Sequence, residues 1–366
     1  MGTSVKESGR RGHWRKLTAV ELDDLPARLL QTDASCRQFP YWYESHRSAI
    51  TQPAYLVYEV DSTPDFYLSM QVIRIPFFKL GVTFQGPIRV TRGAAPTADS
   101  LEALVEWADR RGIFALKFGG VAPILEDTLM ALEGSTRDEV LPYYGNGFDR
   151  LTVDLQRDEA TLLASFQPIA RREIKQAQKQ GYEISASSNP DDFVEALPLI
   201  LSRHAEKGVR AYRMEDNWIR LFKSAAPDGC ARIYTAKLDG LLIQAALVLR
   251  DQHASWYVLG GIDLTALGDA RSPACLLQWA AMQDAAGMGC SRYELGGPVG
   301  TVTKFKMKFH PTYHEVEPTV ALVVRPQRFS VWKRYVLPVA KAAIPALGHG
   351  TSRARAWRTL GRLRRA

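Results

Sequence analysis

Lys304, Lys306 and Lys308 alternate with Phe305, Met307 and Phe309 late in the chain. On a β-strand, residues of one parity share a face, so a strand here would gather three ammonium groups on one side. Positive charge concentrated in that way suits a phosphate or a developing oxyanion. The same pattern also fits an edge strand with Phe305 and Phe309 in a core and the lysines in water. A second cationic set lies upstream, in the stretch DEATLLASFQPIARREIKQAQKQG over residues 158–181. There Arg171, Lys175 and Lys179 fall at i, i+4 and i+8, with Arg172 beside them, and form a stripe down one helix face. Such a stripe contacts phosphate or nucleic acid, or is simply a solvated face. Pro168 fits the first turn of a new helix or a kink in a longer one, and Gly181 fits a C-terminal stop.

Other chemistries lack their residues. There is no GxSxG elbow, no Walker loop and no HExxH helix. Gly296-Gly297-Pro298-Val299-Gly300 does not have the spacing of a dinucleotide loop. His310 and His314 stand four apart beside Glu315, but Pro311 interrupts and the surroundings read as strand, so no metal is expected. No nicotinamide or flavin is expected either. Cys36, Cys230, Cys275 and Cys290 lie far apart without a CxxC pair, which fits reduced thiols in a cytoplasmic protein. The polar opening MGTSVKESGRRGHWRKL does not read as a signal peptide, and Leu241–Leu249 is too short to span a bilayer.

The elements that must position these residues repeat a grammar. In the first half, strand-like runs at Ala54–Val60, Phe66–Ile75 and Leu80–Val90 precede an amphipathic helix, Ser100–Arg111, and a strand, Ile113–Phe118. Upstream of them, a helix over Leu22–Leu30 and an aromatic cluster, Phe39-Pro40-Tyr41-Trp42-Tyr43, follow a loose start. In the second half, Ala231–Lys237 and Leu241–Leu249 flank the turn dipeptide Asp239-Gly240. A strand at Ala254–Leu259, a helix at Pro273–Ala286 and a strand at Ser291–Leu295 follow. The helix-to-strand ends align: Leu104-Val105-Glu106-Trp107-Ala108 with Lys117-Phe118-Gly119-Gly120, against Leu276-Leu277-Gln278-Trp279-Ala280 with Glu294-Leu295-Gly296-Gly297. The reading is an α/β chain with a duplicated unit of antiparallel strands, helix and strand, unless two amphipathic helices before Gly-Gly turns match by chance.

Apolar residues make up 46% and charged residues 23% of the 366, an ordinary globular balance that excludes collagen-like, coiled-coil and disordered readings. The net charge of +8 is uneven: residues 325–366 hold eleven Lys and Arg and no acid, leaving a nearly neutral body. The expected boundaries are a flexible N-terminus over 1–20, domains over 21–150 and 151–324, and a basic C-terminal tail over 325–366. With Trp332, Tyr335, Val336, Val339 and Trp357 among its cations, the tail suits docking on an anionic membrane or on a nucleic-acid backbone, or is a solvated end.

The ordered set of short motifs resembles the FemABX-like transferases of the GNAT superfamily. The pattern is Arg171, Ile174, Ala177 and Gly181; then Leu276-Leu277-Gln278-Trp279; then Tyr293-x-Leu-Gly-Gly; then Phe305-Lys306-x-x-Phe309 with Glu315 downstream. Gln85-Gly86-Pro87 resembles the family's Arg-Gly-Pro turn, with glutamine in place of arginine. Gly119-Gly120 stands where the family tends to carry an acidic residue, and there is no room for the helical-hairpin arm of larger members. The likeness covers roughly residues 35–325.

The resemblance implies two tandem GNAT-like domains of mixed, mostly antiparallel sheets with flanking helices. It implies transfer of an amino acid from aminoacyl-tRNA to an amine of a peptidoglycan precursor or related small molecule. The alternative is acyl-CoA-dependent N-acylation of an amino sugar, polysaccharide or natural-product intermediate; a third is a non-catalytic tRNA-binding or membrane-recruitment module. Lys306 is implied as the cation on donor phosphate or carbonyl oxygen, Glu315 as base or amine-orienting group, and Tyr257 as a wall of the acceptor groove. Arg171, Lys175, Lys304 and Phe305 are implied on the substrate side, although Arg171 equally suits a structural anchor. No cofactor beyond the activated donor is called for. The expected location is cytoplasmic, with peripheral contact to the inner face of the membrane.

Overall fold

The computed structural model describes residues 12–90, 96–141, 149–206, 215–298, 300–315 and 317–341. In chain order the strands are β1 His13–Lys16, β2 Thr51–Val60, β3 Thr63–Ile75, β4 Phe78–Phe84, β5 Ile88–Arg89, β6 Ala115–Gly119, β7 Ser135–Thr136 and β8 Arg150–Asp154. They continue as β9 Glu183–Ser187, β10 Ala231–Leu238, β11 Leu241–Arg250, β12 Ala254–Ile262, β13 Arg292–Glu294, β14 Thr312–His314 and β15 Val320–Val323. The helices are α1 Ala19–Leu29, α2 Pro40–Glu44, α3 Ala98–Asp109, α4 Pro123–Met130, α5 Glu159–Ser165 and α6 Pro168–Lys179. After them come α7 Pro190–Glu206, α8 Glu215–Ala225, α9 Leu264–Leu267, α10 Ala274–Gly287, α11 Gly300–Met307 and α12 Pro326–Val331.

Two compact units result. One comprises Met1–Asp23, Ser48–Gly147 and Pro318–Ala366; the other comprises Asp24–Arg47 and Phe148–Glu317. Each contains a sheet of the same order. In the first it runs β1-β2-β3-β4-β6-β15-β7, with β5 beside β3, and in the second β9-β10-β11-β12-β13-β8-β14. Among the described residues every pairing is antiparallel except β4 with β6 and β12 with β13, which take corresponding places. The duplication seen in the two helix–strand ends therefore extends to whole sheets. The sixth strand of each is exchanged in sequence: β15 follows the second unit but completes the first sheet, and β8 precedes the second unit's other strands.

Local chemistry explains the turns and breaks. Asp239 and Gly240 both have positive φ (50° and 78°), the geometry that closes a two-residue hairpin between β10 and β11. The stretch over 158–181 is two helices. Asp158 caps α5 by accepting from the Thr161 N–H at 3.0 Å, and Pro168 opens α6, where its missing N–H costs nothing. Ala170, Ile174 and Ala177 are the buried side of α6. They pack with α10, β10 and β11 in the second unit's core around Tyr234, Ala246 and Leu277.

Three expectations need correction. Residues 12–20 are not loose: β1 pairs with β2, and the buried Trp14 donates Nε1–H to the Ser100 carbonyl at 2.6 Å. The segment from Lys304 to Phe309 is not a strand but the last turns of α11 and the turn after it, so the three lysines do not share a face. Residues 326–341 are not a free tail: α12 continues through a π-helical turn, Trp332–Val336, that buries Trp332 in a cluster with Phe114, Val82 and Leu337. The Trp332 Nε1–H donates to the Val140 carbonyl at 2.6 Å. The remainder of the expected tail, 342–366, lies outside the described residues, as does 1–11 of the N-terminal segment. Among the described residues no helix is long and apolar enough to cross a membrane.

Candidate active site

The strands β12 and β13 run parallel only from Ala254–Trp256 against Arg292–Glu294. Beyond that point they part. β12 stays on β11 as far as Ile262, and a bulge opens where Leu247 faces Leu259 but Val248 faces Tyr257. The other chain follows β8, with Leu295 N–H donating to Leu151 O at 2.8 Å and Leu151 N–H to Gly296 O at 3.1 Å. The strand pairing thus stops there and leaves a notch between β12 and residues 295–298. Gly296 sits at its root with φ of 70°, and a Cβ there would lie 4.0 Å from the Tyr257 carbonyl and 3.6 Å from the Lys306 Nζ.

Lys306 reaches this notch from α11, which follows it directly. Its ammonium donates to the Gly297 carbonyl at 2.7 Å, and the side chain is 7% exposed. Burial disfavours the charged form and lowers the pKa from 10.5 to about 8. The group remains mostly cationic at neutral pH but holds its proton loosely. Tyr257, half-buried on β12, folds over Gly260, where an added Cβ would meet its hydroxyl at 2.2 Å. Desolvation pushes the phenol up to about 12, so it is a neutral hydrogen-bond donor. The Lys306 ammonium and the backbone carbonyl of Tyr257 thus both lie close to Gly296, while the Tyr257 ring lies over Gly260.

The other residues singled out by sequence take different places. Phe305 is partly buried and stands edge-on to Phe309, ring centroids 5.4 Å apart, which anchors α11 to the core. Lys308 is held by both oxygens of Glu173 at 2.7 and 2.8 Å, and Lys304 is exposed. On α6, Arg171 is half-buried and Lys175 exposed. Glu315 lies exposed just after β14, with His310 and His314 also on the surface. Among the described residues no cluster of three His, Cys, Asp or Glu could hold a metal. All four cysteines are buried free thiols.

The carboxylate that sequence reasoning passed over is Glu294, an unassigned position inside the Tyr293-x-Leu-Gly-Gly pattern. It is 1% exposed at the root of the notch, accepting from Thr152 Oγ1 at 2.9 Å and facing Arg292 Nε at 3.2 Å and Arg150 at 3.9 Å. Arg150 also bridges to Glu317 at 2.6 Å. This network fixes β13 against β8 below the point where β12 departs. Its only signal was an acid two residues after Arg292 on a short strand, with the apolar Leu295 following. The first unit carries Lys117 at the aligned position on β6, 2% exposed and donating to the Leu141 carbonyl at 2.7 Å.

Comparison with known proteins agrees with the fold. Residues 164–307 match the family described as the acetyltransferase (GNAT) domain. The FemX crystal structure superposes with a TM-score of 0.72 at 14% identity, covering 88% of this chain and all of that one. A C-terminal domain assigned to a lysylphosphatidylglycerol synthetase from Agrobacterium fabrum gives a TM-score of 0.53 at 13% identity, covering 86% of this chain and 97% of that one. L-PGS from Bacillus licheniformis gives 0.52 at 12% identity, with 88% and 98% covered. No curated protein sequence matches the chain. Residues 164–307 thus resemble a GNAT acetyltransferase domain, and the chain has a FemX-like fold built of two mixed sheets with flanking helices.

Proposed function

We propose that this chain transfers an aminoacyl group from aminoacyl-tRNA to a primary amine on a peptidoglycan precursor or a related small acceptor. The observation that carries the reading is the Lys306 ammonium, desolvated and aimed into the notch between β12 and residues 295–298. Such a transfer needs positioning and charge stabilisation more than covalent help. The acceptor amine attacks the ester carbonyl, a C–N bond forms, and the carbonyl oxygen becomes an oxyanion. Lys306 neutralises that oxygen or the adjacent phosphate, and the Tyr257 hydroxyl supplies a neutral donor beside it. Collapse expels the ribose hydroxyl, which takes up the proton that the amine loses. Glu315 is the candidate for receiving or orienting that proton, from the surface side. Arg171 and Lys175 on α6 and Lys304 on α11 are the candidates for phosphate contacts, and Phe305 holds α11 in place.

The acetyltransferase family match favours a second reading, acyl-CoA-dependent N-acylation of an amino sugar or similar amine. In both cases the donor is a substrate and no further cofactor takes part. Purified protein incubated with mixed aminoacyl-tRNAs and, separately, with acetyl-CoA separates the two. Amine-dependent loss of the aminoacyl ester supports the first reading; loss of the thioester alone replaces it with the second. Loss of neither, with candidate amines of both kinds, removes the enzymatic claim.

A further inference from the structure

The first unit presents an outward surface that its own fold does not use. After β15 the chain docks on that unit through Phe329, Trp332, Val336 and Leu337. The opposite side of the same helical stretch shows Val331 and Tyr335, 48% and 56% exposed and one turn apart. Arg328 and Arg334 flank them, the latter with its guanidinium 5.3 Å from the Tyr335 ring. Beside this helix stands the tip of the β3–β4 hairpin. Phe78 packs inward, its ring centroid 5.4 Å from that of Trp332, while Phe77 projects outward at 80% exposure. Phe77 also has φ of 68°, a conformation that costs a bulky residue energy and that glycine would adopt freely. An exposed aromatic kept on a strained tip next to an exposed apolar stripe is poorly explained by folding.

The charge around it has a cationic excess. The cations Arg325, Lys333 and Lys341 are matched by Asp109, Asp138 and Glu139. Arg74 at the hairpin's end and Arg328 and Arg334 on the helix are exposed cations beyond those pairs. The sequence past Lys341 adds six arginines and no acid within its 25 residues. We propose that Phe77, Val331 and Tyr335, with the exposed Arg74, Arg328 and Arg334, form a docking surface for an anionic lipid bilayer. The rings would enter the headgroup boundary while the arginines meet lipid phosphates. The inference stands apart from the acyl-transfer reading, because it is tested without donor or acceptor.

The full chain is mixed with phosphatidylcholine vesicles and with mixed phosphatidylcholine–phosphatidylglycerol vesicles, and partitioning is measured at low and high salt. Binding to the anionic vesicles alone, weakened by salt, is expected. Phe77→Gly suits the turn and keeps the fold, and it should lower partitioning about tenfold through lost apolar burial. Val331→Ser with Tyr335→Ser should do the same, and Arg334→Gln should cost about fivefold. Equal binding to both vesicle types, or partitioning unchanged by Phe77→Gly and by the Val331–Tyr335 pair, overturns the proposal. So does a dimer in solution that these substitutions dissolve, which would assign the face to a second copy. Equal loss of tRNA binding in the same variants would assign it to RNA.

Discussion

Lys306→Met separates the cost of the notch from its use. The folded chain holds the ammonium at a pKa of about 8 against 10.5 for a free lysine. At about 1.4 kcal/mol per unit, keeping it charged near pH 7 costs roughly 3 kcal/mol of folding stability. Methionine fills similar volume without the charge but forfeits the bond to the Gly297 carbonyl, worth about 1 kcal/mol. The variant should therefore be more stable than the parent by about 2 kcal/mol at pH 7, a rise in Tm of roughly 4–8 °C. The pH dependence carries a sign. Between about pH 8 and 10.5 the unfolded chain still binds a proton there that the folded chain has released. Parental stability consequently rises with pH across that window, and the variant's advantage shrinks. Turnover should fall by about 10²–10³, the loss of one oxyanion contact of roughly 2.7–4 kcal/mol. Parental activity should also decline as pH passes about 8, where the cation is lost. Denaturation curves at neutral and alkaline pH, run alongside single-turnover kinetics, read all of this. A variant that is less stable at pH 7 with no pH-dependent difference, or one that keeps full turnover, would refute the reasoning.

Other substitutions probe the frame around that amine. Gly260→Val should expel the Tyr257 ring, since even a Cβ would stand 2.2 Å from its hydroxyl; acceptor KM should rise more than kcat falls, and unchanged kinetics would remove Tyr257 from the site. Glu294→Ala leaves Arg292 and Arg150 facing a buried void and should cost about 3–5 kcal/mol in a denaturant titration. Trp332→Ala should cost about 3–5 kcal/mol and lower the melting of the first unit, a result incompatible with 326–341 being a loose tail. Asp158→Ala removes the cap of α5 and should lower Tm slightly in a thermal melt.

Elements long enough to show a period, or bounded by decisive residues, were legible in the sequence. The Asp239-Gly240 hairpin follows from residues that tolerate positive φ, and α6 from Pro168 at one end and Gly181 at the other. The repeat read from two helix–strand ends proved to be two sheets of one order. The lysine strand misled because alternation over six residues also satisfies a helix, where Phe305 and Phe309 sit i, i+4 and meet edge-on. Lys306 was singled out by motif, but its burial was not legible, because it depends on where the chain turns after β13. The basic composition of 325–366 hid an apolar side, Phe329, Trp332, Val336 and Leu337, at helical spacing. Glu294 gave almost no signal, since its partners Thr152 and Arg150 lie far away in sequence. Likewise, nothing in the run Val320–Val323 tells which sheet so short an apolar strand will join.

The exchanged sixth strands bear on how this chain must be made. During synthesis the first unit's helix α3 and strands β1 to β7 emerge long before Val320–Val323, so β6 and β7 lack the strand that lies between them until nearly the whole chain is out. The exposed edge of β6 is an open template in that interval, and a chain stalled or truncated before residue 320 would present it permanently. By the same logic no single cut yields two independent proteins. Severing the chain anywhere between β8 and β15 leaves the first unit waiting for a strand carried on the other fragment, which favours two-fragment complementation over separate domains.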